Sequence, residues 1–103
     1  MGSKRFASSV AGDPNPFDLV VAGPAARSLA EVLPEAVAAA VIHLITGDLL
    51  DAPERVGKPL RREMEGAWVA RRGTFRVVYE IDYDRHEVVV LRVDHRSEVY
   101  RRR

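Results

Sequence analysis

The spacing of apolar residues changes once along this chain, from a helical period to a strand period. That change sets the class of fold. Before residue 48, Ala26, Leu29, Ala30 and Leu33, and then Val37, Val41, Leu44 and Ile45, recur at intervals that line one helix face. From Trp68 onward the period is two: Phe75, Val77 and Tyr79 point one way, and Arg76, Val78 and Glu80 the other. Proline punctuates the first half. Pro24 suits the first turn of a helix running to Leu33, and Pro34 interrupts that helix and opens a second, with Gly47 as its stop. A short strand over Phe17–Val21 precedes them. Strands are expected at Trp68–Arg71, Thr74–Asp82 and Glu87–Val93, joined by turns at Arg72–Gly73 and Tyr83–His86. The run Val88-Val89-Val90-Leu91 predicts a central strand buried on both faces. Asp48–Pro59, holding Pro53, Gly57 and Pro59, reads as a loop, and His95–Arg103 as a polar tail with a short helix. Residues 1–16 read as a flexible N-terminal extension and 17–103 as one domain. The expected fold is α+β: a two-helix hairpin packed on a twisted, mainly antiparallel, four-stranded sheet.

Several functional classes are disfavoured by composition. Cysteine is absent, so disulfides and thiolate metal sites are excluded, in keeping with a cytoplasmic protein. The longest apolar run, Ala36–Ile45, is too short for a bilayer and is broken by His43, so no membrane partner is expected. Three dispersed histidines make no metal motif, and no Gly-rich phosphate loop or Ser-His-Asp spacing appears. No metal or cofactor is therefore expected.

The net charge of +1 conceals an asymmetry. Residues 1–54 carry three basic and seven acidic groups (net −4), whereas 55–103 carry thirteen and eight (net +5). Arginine dominates the basic half, and its planar fork suits phosphate. Arg71 and Arg76 flank the expected turn, so the hairpin brings them onto adjacent strands as a pair able to hold a phosphate. The competing expectation is two solvated arginines paired with Glu80 or Glu63. His95 follows the central strand, and imidazole is the side-chain type suited to proton exchange near neutrality. Arg96 and Tyr100 share a face if the tail is helical, and Tyr100 suits a base or a phosphate. Lys58, Arg61, Arg62, Arg72 and Arg101 are further candidates for binding RNA.

The pattern Trp68-x-x-Arg71-x-Gly73-x-Phe75-Arg76-Val77-Val78-Tyr79, closing on Val93-Asp94-His95-Arg96-x-x-Val99-Tyr100, resembles the RelE/ParE toxin superfamily, and RelE-type toxins in particular. Pro24-Ala25-Ala26-Arg27-x-Leu29, Leu33-Pro34 and Gly57-Lys58-Pro59-Leu60 agree with it. The resemblance implies two helices on an antiparallel sheet and a metal-independent endoribonuclease acting on mRNA in the ribosomal A site. It implies a cognate RelB-like antitoxin, the ribosome and mRNA as partners, and operator DNA only through the antitoxin complex. Arg71, Arg76, His95 or Arg96, and Tyr100 match the family's functional positions. A basic position expected just after the aromatic is Val69 here, which leaves His95 as the replacement base. ParE-like inhibition of DNA gyrase by binding, or a non-catalytic co-repressor working with its antitoxin, are the alternatives.

Overall fold

The computed structural model describes residues 15–61 and 65–95, together with the backbone of 4–6. Its centre is a mixed six-stranded sheet: β1 (Lys4–Phe6), β2 (Asp18–Val21), β3 (Lys58–Leu60), β4 (Ala67–Arg72), β5 (Phe75–Asp82) and β6 (Glu87–His95). In space the order is β1-β2-β6-β5-β4-β3. Every pairing is antiparallel except β2 with β6. The α+β class and the four strands expected from the sequence are present. The sheet has six strands rather than four because three-residue strands close both edges. Such pieces are too short for alternation to reveal, and β3 contains Pro59, which an edge strand tolerates.

The connection from β2 to its parallel neighbour β6 begins with the helical layer. Helix α1 (Gly23–Arg27), with Pro24 in its first turn, continues into a π-helical turn over Ser28–Val32. The Leu33 amide closes that turn on the Ser28 carbonyl at 2.9 Å. After Leu33-Pro34, α2 spans Glu35–Thr46 and ends at Gly47. The expected loop from Asp48 instead winds into α3 (Asp48–Asp51) and α4 (Pro53–Val56). Leu49 and Leu50 are the reason: both are buried in the core, and a helical turn places them there while satisfying its own backbone. Four-residue helices leave no 3.6-residue period to read.

The core lies between helices and sheet. Val41, Leu44 and Ile45 of α2, with Leu49 and Leu50, meet Leu19, Phe75, Val77, Tyr79, Val88 and Val90. Each such aliphatic or aromatic burial contributes about 1.5–3 kcal/mol. Tyr79 is fully buried, stacks beside Trp68 and donates its hydroxyl hydrogen to the Pro53 carbonyl at 2.6 Å. That bond ties α4 to the sheet.

Two local features set the register. The β4–β5 turn is Gly73–Thr74, one residue later than expected, since Arg72 still pairs with Phe75. Gly73 has φ +56, the left-handed value that a two-residue hairpin turn requires at its first position. On β6, Arg92 pairs with Val78 but Val90 with Tyr79, leaving Leu91 as a bulge. The bulge turns Val88, Val90 and Val93 toward the helices. Val89 and Leu91 remain half-buried, so the central strand is not sealed on both faces as its composition predicts.

Candidate functional site

Directly opposed residues of an antiparallel sheet share a face. Arg71 opposes Arg76, and Arg76 opposes Asp94, so these three form one row across β4, β5 and β6. Phe75, Val77 and Tyr79 alternate with them and pack into the helix-side core. The row therefore lies on the outer face of the sheet, away from the helices. The next row on that face is Lys58, Val69, Val78 and Arg92.

Two arginines placed directly opposite each other repel. Asp94 answers that repulsion: one carboxylate oxygen, Oδ2, accepts from the Nε of Arg76 and from the Nε of Arg92, each at 3.3 Å. The partner of Arg76 is thus Asp94, from the neighbouring strand, and not Glu80. All three side chains are 38–50% exposed, so the ion pairs are worth at most about 1 kcal/mol each. Each contact runs through Nε, one of the five N–H donors of its guanidinium.

At the turn end of the hairpin, Arg71, Gly73, Thr74, Phe75, Arg76, Asp94 and His95 line a cleft of about 400 Å³. His95 closes β6 opposite Phe75, so it starts from the helix-side face and borders the cleft at the end of the sheet rather than in the arginine row. Its Nε2 lies 3.1 Å from the Thr74 hydroxyl. The two-residue turn makes this contact possible by lifting Thr74 to the level of the last β6 residue. The cleft brings together three of the sequence-derived candidates: Arg71, Arg76 and His95. Guanidinium groups and an imidazole around an open cleft can bind an anion and exchange a proton beside it.

The other candidates are dispersed. Lys58 is exposed on β3, in the outer-face row, and Arg61 is exposed just past that strand. Arg72 does not join Arg71. Alternation sends it to the helix side, where it lines a groove with Asp48. Arg62, Arg96, Tyr100, Arg101 and the expected tail helix lie outside the described residues. Sequence reasoning missed Arg92 and Asp94. Arg92 sits in the apolar run of β6, and only the Leu91 bulge puts it on the same face as Arg76. The available signal was Arg92-x-Asp94, a period-two polar pair within an otherwise buried strand.

Away from the cleft, burial raises the pKa of the Tyr79 hydroxyl, with a smaller push from Tyr83. A hydrogen bond to Glu54 raises that of Tyr83. Among the described residues no three His, Asp or Glu side chains group as a metal site, and no helix is long and apolar enough to cross a membrane.

Comparison with known proteins agrees in direction. Residues 20–100 match the family model described as the ParE toxin of the type II toxin–antitoxin system parDE. The chain is 56% identical over 70 residues to toxin RelG of Mycobacterium tuberculosis, covering 68% of this chain and 80% of that one. It is 45% identical over 89 residues to toxin RelE of the same organism, covering 86% and 91%. Its structure is similar to a chain in the crystal structure of the M. tuberculosis toxin–antitoxin complex RelBE2. The TM-score is 0.74 and the identity 49%, covering 79% of this chain and 99% of the other.

Proposed function

The chain belongs to the RelE/ParE family of type II toxin–antitoxin toxins, and from that membership we propose that it is a metal-independent endoribonuclease that cuts mRNA on the ribosome. The observation that carries this reading is the cleft in which Arg71 and Arg76 stand directly opposed with His95 alongside. Asp94 offsets one of the three positive charges of Arg71, Arg76 and Arg92, and a phosphodiester can neutralise the charge that remains.

In the proposed reaction the ribose 2′-oxygen forms a bond to the adjacent phosphorus and the bond from phosphorus to the 5′-oxygen breaks. The products are a 2′,3′-cyclic phosphate and a 5′-hydroxyl. His95, oriented by Thr74, takes the proton of the 2′-hydroxyl, and the leaving 5′-oxygen takes one from solvent. Arg71 and Arg76 stabilise the charge that gathers on the phosphoryl oxygens. A positioned base contributes about 10²–10⁴ in rate. Arg96 and Tyr100 are assigned to the same site on sequence grounds alone. The antitoxin of the RelBE2 complex supports a RelB-like partner for this chain, bound so as to cover the basic face, with operator DNA reached only through that complex.

The match to a model named for ParE favours a second reading, inhibition of DNA gyrase by binding, which needs no acid–base group. Programmed ribosomes incubated with the protein, with cuts mapped by primer extension, separate the two. Cuts at A-site codons are expected, whereas intact message together with inhibited supercoiling would select the gyrase reading. Arg76→Ala is expected to lower cleavage by about 10²–10³ and to relieve growth arrest, with thermal unfolding within a few degrees of wild type. Full toxicity in each of the Arg71, Arg76, His95 and Tyr100 variants would remove the catalytic assignment.

A further inference from the structure

The register places one cation from each of four successive strands on the outer face: Lys58 on β3, Arg71 on β4, Arg76 on β5 and Arg92 on β6. They stand in two adjacent rows, so a line through them crosses the sheet at right angles to its strands. Strands are spaced about 4.8 Å apart, and three spacings give a path of roughly 14 Å. A stacked nucleic-acid strand carries one phosphate about every 3.4 Å, so this length spans about four such spacings, and an extended strand at roughly twice the spacing lays about three consecutive phosphates along it. Along the strands the charge reverses: Glu80, Asp82 and Asp84 line the next hollow of the same sheet. A polyanion can therefore follow the line across the strands but not the hairpin axis.

Arg92 is built into this line. It shares the Asp94 oxygen with Arg76, which fixes both forks relative to each other. Opposite it, Lys58 lies directly across from Val69. Lys58 thus supplies a charge in the row where β4 has a valine.

We propose that Arg92 and Lys58 are the two ends of a binding track for single-stranded RNA, holding the phosphates on either side of the one bound by Arg71 and Arg76, with Asp94 as the positioning residue that couples Arg92 to Arg76. This rests on the endoribonuclease reading for its substrate, but its test does not require cleavage. The full chain is titrated against fluorescent 2′-O-methyl oligoribonucleotides of two to eight nucleotides, which cannot be cut, at several salt concentrations. Affinity is expected to rise with length and to level off near four nucleotides. Arg92→Gln and Lys58→Gln are each expected to weaken binding roughly fivefold at low salt and to reduce the salt slope by about 0.7. Arg27→Gln, the same charge change in the helical layer, is the control for a long-range field. Arg92→Gln and Lys58→Gln curves that coincide with Arg27→Gln would overturn the track while leaving the cleavage reading intact. A wild-type chain that cuts programmed ribosomes but shows no length dependence overturns it as well. A chain that neither binds these oligonucleotides nor cuts removes both.

Discussion

Tyr79 shows how one side chain can hold distant parts of the chain together. It is fully buried, its ring stacks beside Trp68, and its hydroxyl reaches the Pro53 carbonyl. Gly57 is glycine for the same reason. A Cβ there would collide with the Tyr79 hydroxyl and come within 2.7 Å of the Val69 carbonyl oxygen. Burial keeps Tyr79 protonated above the usual tyrosine range. Once the pH exceeds about 10, the unfolded chain loses a proton that the folded chain retains, so stability falls as pH rises, by up to about 1.4 kcal/mol per pH unit. Tyr79→Phe is expected to cost about 1–2 kcal/mol at pH 7, through the unpaired Pro53 carbonyl, and to flatten the alkaline decline. Urea unfolding at pH 7 and between pH 10 and 11.5 measures both; an unchanged alkaline slope would remove Tyr79 as its source.

At the scale of elements, the β4–β5 hairpin decides whether there is a site at all. Moving its turn back one residue, to Arg72–Gly73, would place Arg72 in the turn, pair Arg71 with Thr74 and Arg76 with Val69, and so break the opposition of Arg71 and Arg76. Nothing crowds the position of a Gly73 side chain, so Gly73→Ala is strained only by its positive φ. It is expected to cost about 1–2 kcal/mol and to lower the melting temperature by roughly 4–16 °C. Calorimetry measures this, and an unchanged melting temperature would mean that the turn tolerates alanine. Both helices and the four longer strands were legible in the sequence because each spans several periods of its pattern. The hairpin was legible too, but not its register: Arg72-Gly73 and Gly73-Thr74 are equally good turns, and only pairing across the strands separates them. The bulge at Leu91 was not legible. Four consecutive apolar residues carry no mark of where alternation breaks, so nothing in the sequence joins Arg92 and Asp94 to the row of Arg71 and Arg76.

The molecule as a whole assigns separate tasks to the two faces of one sheet. The helix side carries most of the core, with Ala67 and Val78 buried on the outer side. The outer side carries Arg71, Arg76 and Arg92, so helix-side packing and outer-face charge can be changed separately. Leu49→Ala, wholly on the helix side, is expected to cost about 2–5 kcal/mol, measured by urea unfolding, while leaving the affinity of the folded protein for an RNA oligonucleotide unchanged. A loss of affinity in the still-folded fraction would show that the layers are coupled. The parallel pairing of β2 with β6 joins Asp18 to Glu87, across nearly seventy residues of chain. Contacts so remote in sequence form late, because the loop between them must close first. During synthesis, Asp94 and His95 emerge after every other element of the sheet. The nascent chain therefore moves along the ribosome with its basic face unassembled, and that face forms only once β6 has emerged from the machine that made it.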